Sequence, residues 1–254
     1  MKRLLIILIA SSIFAACTKE SLQQYSEKPR VYLSLRKDSL YSKFPLSTAG
    51  NIQIDYAPQK SAKQKDTLKL NIQVSGVAEN ADRVFVFERN TAAGTAVEGT
   101  DFDLLDKNFI IPAGKFNNSI RVVIYRSLNM AKVPVSFGYV LRANENFELG
   151  PDRDTTRFSS NSGIMNMIAL KVTARDVLTK PANWDSFIAN YFGVYSQVKH
   201  RFVIDVLPAP LSLPSTTSVS RMNTNRNNLR TALTKYNATH PEKLKDENGI
   251  EISF

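Results

Sequence analysis

The sequence predicts a mainly β protein: an immunoglobulin-like β-sandwich followed by a smaller α-containing C-terminal segment. Three observations carry this expectation. Apolar and polar residues alternate in short runs from Val31 to Val172, turn-forming residues separate the runs, and beyond residue 175 the apolar spacing becomes helical.

The chain opens on Met1-Lys2-Arg3, continues with an apolar or small-residue stretch over 4–16, and reaches Cys17, its one cysteine, after Phe14-Ala15-Ala16. That order is the anatomy of a lipoprotein signal peptide. The 13 residues of the apolar stretch fall short of a spanning helix, which needs ~20. Residues 1–17 are therefore expected to be an export signal with a lipobox. Cys17 is expected to be acylated and to hold the mature chain on a membrane, its first expected partner. Phe14 stands where a lipobox carries Leu, Val or Ile. With its thiol consumed, the mature chain has no disulfide and its fold depends on its core. Residues 18–28 are polar and read as a tether.

The strand expectations are 31–35, 52–56, 67–74, 83–89, 109–111, 120–126 and 133–142, with 168–172 returning to the sandwich. The run over 67–74 is the cleanest: Leu68, Leu70, Ile72 and Val74 share one face, with Lys69, Asn71 and Gln73 opposite. Ala57-Pro58, Ser75-Gly76, Glu98-Gly99-Thr100, Pro112-Ala113-Gly114 and Asn117-Asn118 supply the turns. Residues 29–175 are thus expected to form the sandwich, with 144–166 as a long exposed loop. The mixed helical segment covers 176–254. Within it Trp184, Phe187, Ile188, Tyr191 and Tyr195 fall on one face of a helix capped by Asn183, and 227–236 reads as a second helix with Leu229, Leu233 and Tyr236 inward. The stretch 195–206 is readable as helix or strand.

Ala96-Val97-Glu98-Gly99-Thr100-Asp101-Phe102, then Phe109-Ile110-Ile111-Pro112-Ala113-Gly114 and the alternating run to Tyr125, resembles a Calx-β-like segment. Gly99 permits a turn, Asp101 can accept backbone N–H bonds, and Phe102 is expected in the core. The resemblance raises calcium as a cofactor, with Asp101, Asp103 and Asp106 as candidate ligands. Calcium takes six to eight oxygens from converging loops, and only Glu98 adds an acid nearby, so the structural role is preferred.

Pro181-Ala182-Asn183-Trp184, Tyr191-Phe192-Gly193-Val194-Tyr195-Ser196, Lys199, Lys235-Tyr236-Asn237 and Asp246-Glu247-Asn248-Gly249 are similar to a Bacteroidetes lipoprotein family of unknown function, of DUF4843 type. Its members sit beside SusC/SusD nutrient-uptake pairs. The resemblance implies an outer-membrane setting, surface-exposed or periplasm-facing, with a SusC/SusD-type transporter as partner and a glycan or peptide as ligand. It assigns no catalytic residue. Asp38-Ser39-Leu40, Asp66-Thr67-Leu68 and Asp154-Thr155-Thr156 resemble the O-glycosylation triplet of exported Bacteroidetes proteins.

Three classes of function compete for this chain. For an enzyme the chain offers His200 and His240, and it contains no Gly-x-Ser-x-Gly elbow, His-Glu-x-x-His helix or glycine-rich phosphate loop. Paired carboxylates distant in sequence stay open as a glycosidase alternative. For a binding module, Trp184, Tyr191 and Tyr195 are a candidate stacking platform, although their helical spacing favours packing. For a structural or adhesion lipoprotein, a sheet edge or the long loop would dock. Net charge is +10, and loss of Lys2 and Arg3 leaves 31 basic against 23 acidic residues. These charges are scattered, without the basic face that nucleic acid requires. The expectation is a non-enzymatic accessory lipoprotein of a SusC/SusD-type uptake system.

Overall fold

A computed structural model describes residues 27–34, 50–154, 165–208 and 218–254. Cys17 and its lipobox, most of the tether, Asp38-Ser39-Leu40 and Thr155-Thr156 lie outside the described residues.

Strand propensity and alternation are realised as β1 (Arg30–Ser34), β2 (Ile52–Asp55), β3 (Lys65–Ser75), β4 (Arg83–Val84), β5 (Val86–Arg89), β6 (Phe102–Leu104), β7 (Ile110–Ile111), β8 (Asn117–Tyr125), β9 (Val135–Arg142), β10 (Glu148–Leu149), β11 (Arg153–Asp154), β12 (Met165–Asn166) and β13 (Ala169–Arg175). One sheet has the order β10-β1-β3-β8-β6 and the other β2-β13-β9-β5, and the two face each other as a sandwich. Along β3 the expected alternation holds: Leu68, Leu70, Ile72 and Val74 are buried while Lys69 is exposed. Their partners across the core include Ile54, Phe87, Phe137, Leu141 and Val172. Full burial of each such side chain stabilises by about 1.5–3 kcal/mol, so the two inner faces together outweigh any single polar contact.

Two expectations for the sandwich are corrected. The run over 83–89 is not one strand, because Phe85 is buried and donates its N–H to Phe109 O at 2.9 Å, so that β4 pairs with β7 and β5 with β9. The stretch 144–166 is not simply an exposed loop. The Asn144 side chain accepts from Asn146 N and Phe147 N at 3.0 and 2.9 Å, which turns the chain and sends Phe147 fully into the core. Next to it β10 runs parallel to β1, and β11 pairs with β12. Two-residue strands are too short to display a period, which is why turn composition concealed them.

The C-terminal segment packs its own core of Trp184, Ile188, Phe192, Val203, Leu207, Met222 and Leu229. The single helix expected from Trp184 to Tyr195 is instead one turn of π-helix, Trp184–Ile188, leading into α1 (Ala189–Phe192). Asn183 O accepts from both Phe187 N and Ile188 N at 3.0 and 3.2 Å, the widened pattern of a π-turn, and the Asn183 side chain makes no cap bond. Gly193, at φ 77°, ends α1, so Tyr195 lies beyond it. The ambiguous stretch resolves as α2 (Gln197–Val206), whose first turn is capped by Ser196 Oγ accepting from Lys199 N at 3.1 Å. From the tail, the Glu247 carboxylate accepts from Gln197 N at 3.0 and 3.1 Å at the same helix end. The last helix, α3 (Val219–Thr239), is longer than the expected 227–236. Ser218 caps it, and Met222 is the one buried residue of its polar first half, too sparse an apolar signal to show a period. Tyr236 is half-buried, whereas Leu229 and Leu233 point inward as expected. Among the described residues no helix is long and apolar enough to cross a membrane.

Candidate ligand cleft at the seam

The two cores meet across a polar seam. Asp176, just past the end of β13, takes Arg126 Nε and Nη2 on its two oxygens at 2.7 and 2.8 Å, and Arg201 Nη2 of α2 at 2.8 Å. Arg126, Asp176 and Arg201 are 6%, 13% and 21% exposed, so the triad is largely dry. Both arginines also grip the loop after β2: Arg126 donates to Tyr56 O and Lys60 O at 3.1 and 2.7 Å, and Arg201 to Ala57 O and Gln59 O at 3.1 and 2.9 Å. Asp205 of α2 completes the fastening by accepting from Ser61 Oγ at 2.7 Å. Planar guanidinium groups suit this work, since each satisfies a carboxylate and several carbonyls at once.

Beside the triad a cleft of about 290 Å³ opens between sandwich and helices. Ala57, Pro58, Val177, Leu178, Pro181 and Ile204 make its walls aliphatic, and Thr179 and His200 add polar groups. Asp55 and Arg175 also line it. They pair through Arg175 Nε and Nη2 on Asp55 Oδ2 at 2.9 and 2.6 Å, while Asp55 Oδ1 accepts from Ala57 N at 3.0 Å. His200 is 6% exposed, and its Nδ1 is buried without a hydrogen-bond partner. Burial, reinforced by the Arg201 charge, pushes the imidazole pKa down to about 4, so the ring is neutral at pH 7. A buried polar atom without a partner costs free energy, and it marks His200 as a residue whose hydrogen bonding the fold leaves incomplete beside the cleft.

The candidate platform does not form a surface. Trp184 is 0% exposed and donates Nε1–H to Gly193 O at 3.1 Å. Tyr195 meets its ring edge-on at 5.0 Å, and Phe192 does so at 6.5 Å. Tyr191 packs instead on Phe187 at 5.6 Å. The π-turn and the stop at Gly193 rotate these rings out of the single stripe that an unbroken helix would present.

The candidate calcium carboxylates are occupied by protein donors. Asp101, 1% exposed, accepts from Val97 N at 2.8 Å and from Ser127 Oγ at 2.5 Å. Asp103 accepts from Gly99 N and Tyr125 Oη at 3.0 and 2.7 Å. Asp106 forms a two-point pair with Arg121 at 2.9 and 2.7 Å, and this pairing lowers its pKa. Gly99 takes φ 84° at the turn, and Phe102 is fully buried, stacked on Phe137 at 4.1 Å with the Arg89 guanidinium 4.7 Å from its ring centre. The motif thus folds the turn as its residues suggested. Among the described residues no three His, Cys, Asp or Glu side chains gather as a metal site.

His240 stacks on Tyr236 at 3.7 Å at the end of α3, in the helical segment but outside the cleft lining. Asp55, Arg175 and Leu178 carried no sequence signal for a site, because the cleft joins positions 120 residues apart.

A family profile described as a domain of unknown function, DUF4843, matches residues 25–209. No curated protein matches the chain.

Proposed function

The chain belongs to the DUF4843 family of domains of unknown function, and from that premise we propose that it is a non-enzymatic accessory lipoprotein of an outer-membrane uptake system of SusC/SusD type. In this reading Cys17 carries the acyl anchor, residues 18–28 are the tether, and the folded body engages a nutrient, glycan or peptide, or the transporter itself. The observation that carries the reading is the position of the one cysteine, after a cationic start, an apolar stretch too short to span, and small residues. The rigid seam supports it, since a body that meets a transporter or ligand must hold its two parts in one geometry.

Purification of the tagged lipoprotein from native outer membranes tests the assignment. Co-purification of a SusC/SusD pair is the expected result, together with release of the protein to the soluble envelope fraction in Cys17→Ala. Membrane association unchanged in Cys17→Ala removes the anchor, and purification without a transporter removes the accessory role.

A further inference from the structure

We propose that the seam cleft binds a short peptide with an aliphatic side chain, which lies against Pro58, Leu178, Pro181 and Ile204 while a main-chain polar group bonds His200 and the peptide carboxylate meets Arg175. The inference rests on the ligand-binding arm of the reading above and chooses between its two ligand classes.

Four observations lead there. The walls are aliphatic, and His200 supplies the one aromatic ring among the lining residues. A sugar has polar edges and apolar ring faces, and stacking such a face needs a Trp, Tyr or Phe plane, which these walls lack. An isoleucine or leucine side chain needs only such a wall, and ~300 Å³ is the lower end of small-ligand sites, room for a few residues rather than an extended polymer.

The polar groups are arranged for a peptide. His200 lines the cleft with a neutral ring, and a neutral imidazole pairs with a peptide N–H or C=O without desolvating a charge. The Asp55–Arg175 pair uses Arg175 Nε and Nη2, and no bond to Nη1 is made among the described residues. Arg175 is 54% exposed, so that Nη1 can take a carboxylate from a ligand entering along the pair. The lining comes from two opposing elements: Asp55, Ala57 and Pro58 from the sandwich side, and His200 and Ile204 from α2. Their spacing is held by the Arg126–Asp176–Arg201 triad, so the cleft is preformed.

Calorimetric titration of the full-length mature protein with Ala-Leu-Ala, its C-terminal amide, Ala-Ser-Ala and maltotriose decides the matter. Saturable binding of Ala-Leu-Ala is expected, with loss of about tenfold in affinity on amidation, on the Leu-to-Ser exchange and in Arg175→Gln, each corresponding to one charge-assisted bond or one buried side chain. Arg175 is exposed enough for that variant to fold. His200→Phe keeps the ring volume and is expected to lower affinity similarly, with folding checked by its circular dichroism. Absence of saturable Ala-Leu-Ala binding, equal affinity for maltotriose, or unchanged affinity in a folded Arg175→Gln overturns the proposal. Co-purification of a transporter with a protein that binds no tripeptide would sink this inference alone, whereas tripeptide binding without a transporter would sink only the accessory role.

Discussion

The acidic turn from Val97 to Asp106 and the cleft around His200 both concentrate polar groups against a core, and they dispose of them oppositely. In the turn each of the three aspartates has protein donors: Val97 N and Ser127 Oγ for Asp101, Gly99 N and Tyr125 Oη for Asp103, Arg121 for Asp106. At the cleft the imidazole keeps an unpaired nitrogen, and the walls are aliphatic. Saturated groups fix a backbone, while unsatisfied groups at an opening are what binding can use. The richer acidic cluster is thus the structural element, and the sparser cleft is the candidate site.

The largest effect that separates the two regions is expected from Asp176→Ala. It leaves Arg126 and Arg201 facing each other in a largely dry seam, and removing one partner of a buried ion pair costs about 3–5 kcal/mol. Urea unfolding followed by tryptophan fluorescence reads this well, because Trp184 lies in the helical core that the seam fastens to the sandwich. A midpoint equal to the parent's would mean that the seam does not hold the cleft in shape.

Asp101→Ala is expected to cost less, about 1–3 kcal/mol, since it leaves a part-buried backbone N–H and a hydroxyl without their acceptor. The same variant sharpens the comparison through calcium. With both Asp101 oxygens and both Asp103 oxygens already bonded to protein donors, added calcium should leave the melting temperature of parent and variant alike. A calcium-dependent rise in the parent that vanishes in Asp101→Ala would reverse the roles assigned to the two regions.

How far each region was legible in the sequence follows from the range of its contacts. The sandwich showed because alternation is local: Leu68 to Val74 report their face without reference to any other strand. The turn motif showed because Gly99, Asp101 and Phe102 act within a few residues of one another. Phe85 and Phe147 did not, since each enters the core from a break in a strand or from an Asn144 turn that reads as loop composition. The aromatic spacing after Pro181 pointed correctly to packing and gave the wrong element, because a π-turn is set by the carbonyl of Asn183 and by the stop at Gly193 rather than by apolar period. The cleft was illegible throughout. It needs Asp55, Arg175 and His200 together, and no periodicity joins β2 to α2. Met222 and Leu229, two of the seven buried residues of the helical core, lie beyond the 25–209 span of the family profile, so the packing of Trp184 depends on residues outside that span.

The smallest effect expected is a slope, and it addresses the unsatisfied side of the comparison directly. The folded pKa of His200 is about 4, below the ordinary 6.5, because burial and then the Arg201 charge disfavour the imidazolium. The unfolded chain therefore takes up a proton as pH falls below 6.5 while the folded chain does not, and stability present at pH 7 is lost progressively from pH 6.5 down to about 4. The steepest loss from one such group is about 1.4 kcal/mol per pH unit. The groups around the ring fit that direction: the Arg201 charge opposes the imidazolium, Trp184 and Tyr195 pack edge-on against the ring at 5.5 and 5.8 Å, and Lys199 on the same helix donates its ammonium to Val194 O. Asp55, across the cleft, is engaged by Arg175 rather than by the imidazole. Urea midpoints of the parent and His200→Phe between pH 7 and 4.5 should differ in slope, the parent's falling more steeply as pH falls and the variant's curve being the flatter. Parallel curves would mean that the imidazole is charged or paired in the folded protein, and the cleft would then lose the neutral, unsatisfied group that distinguishes it from the acidic turn.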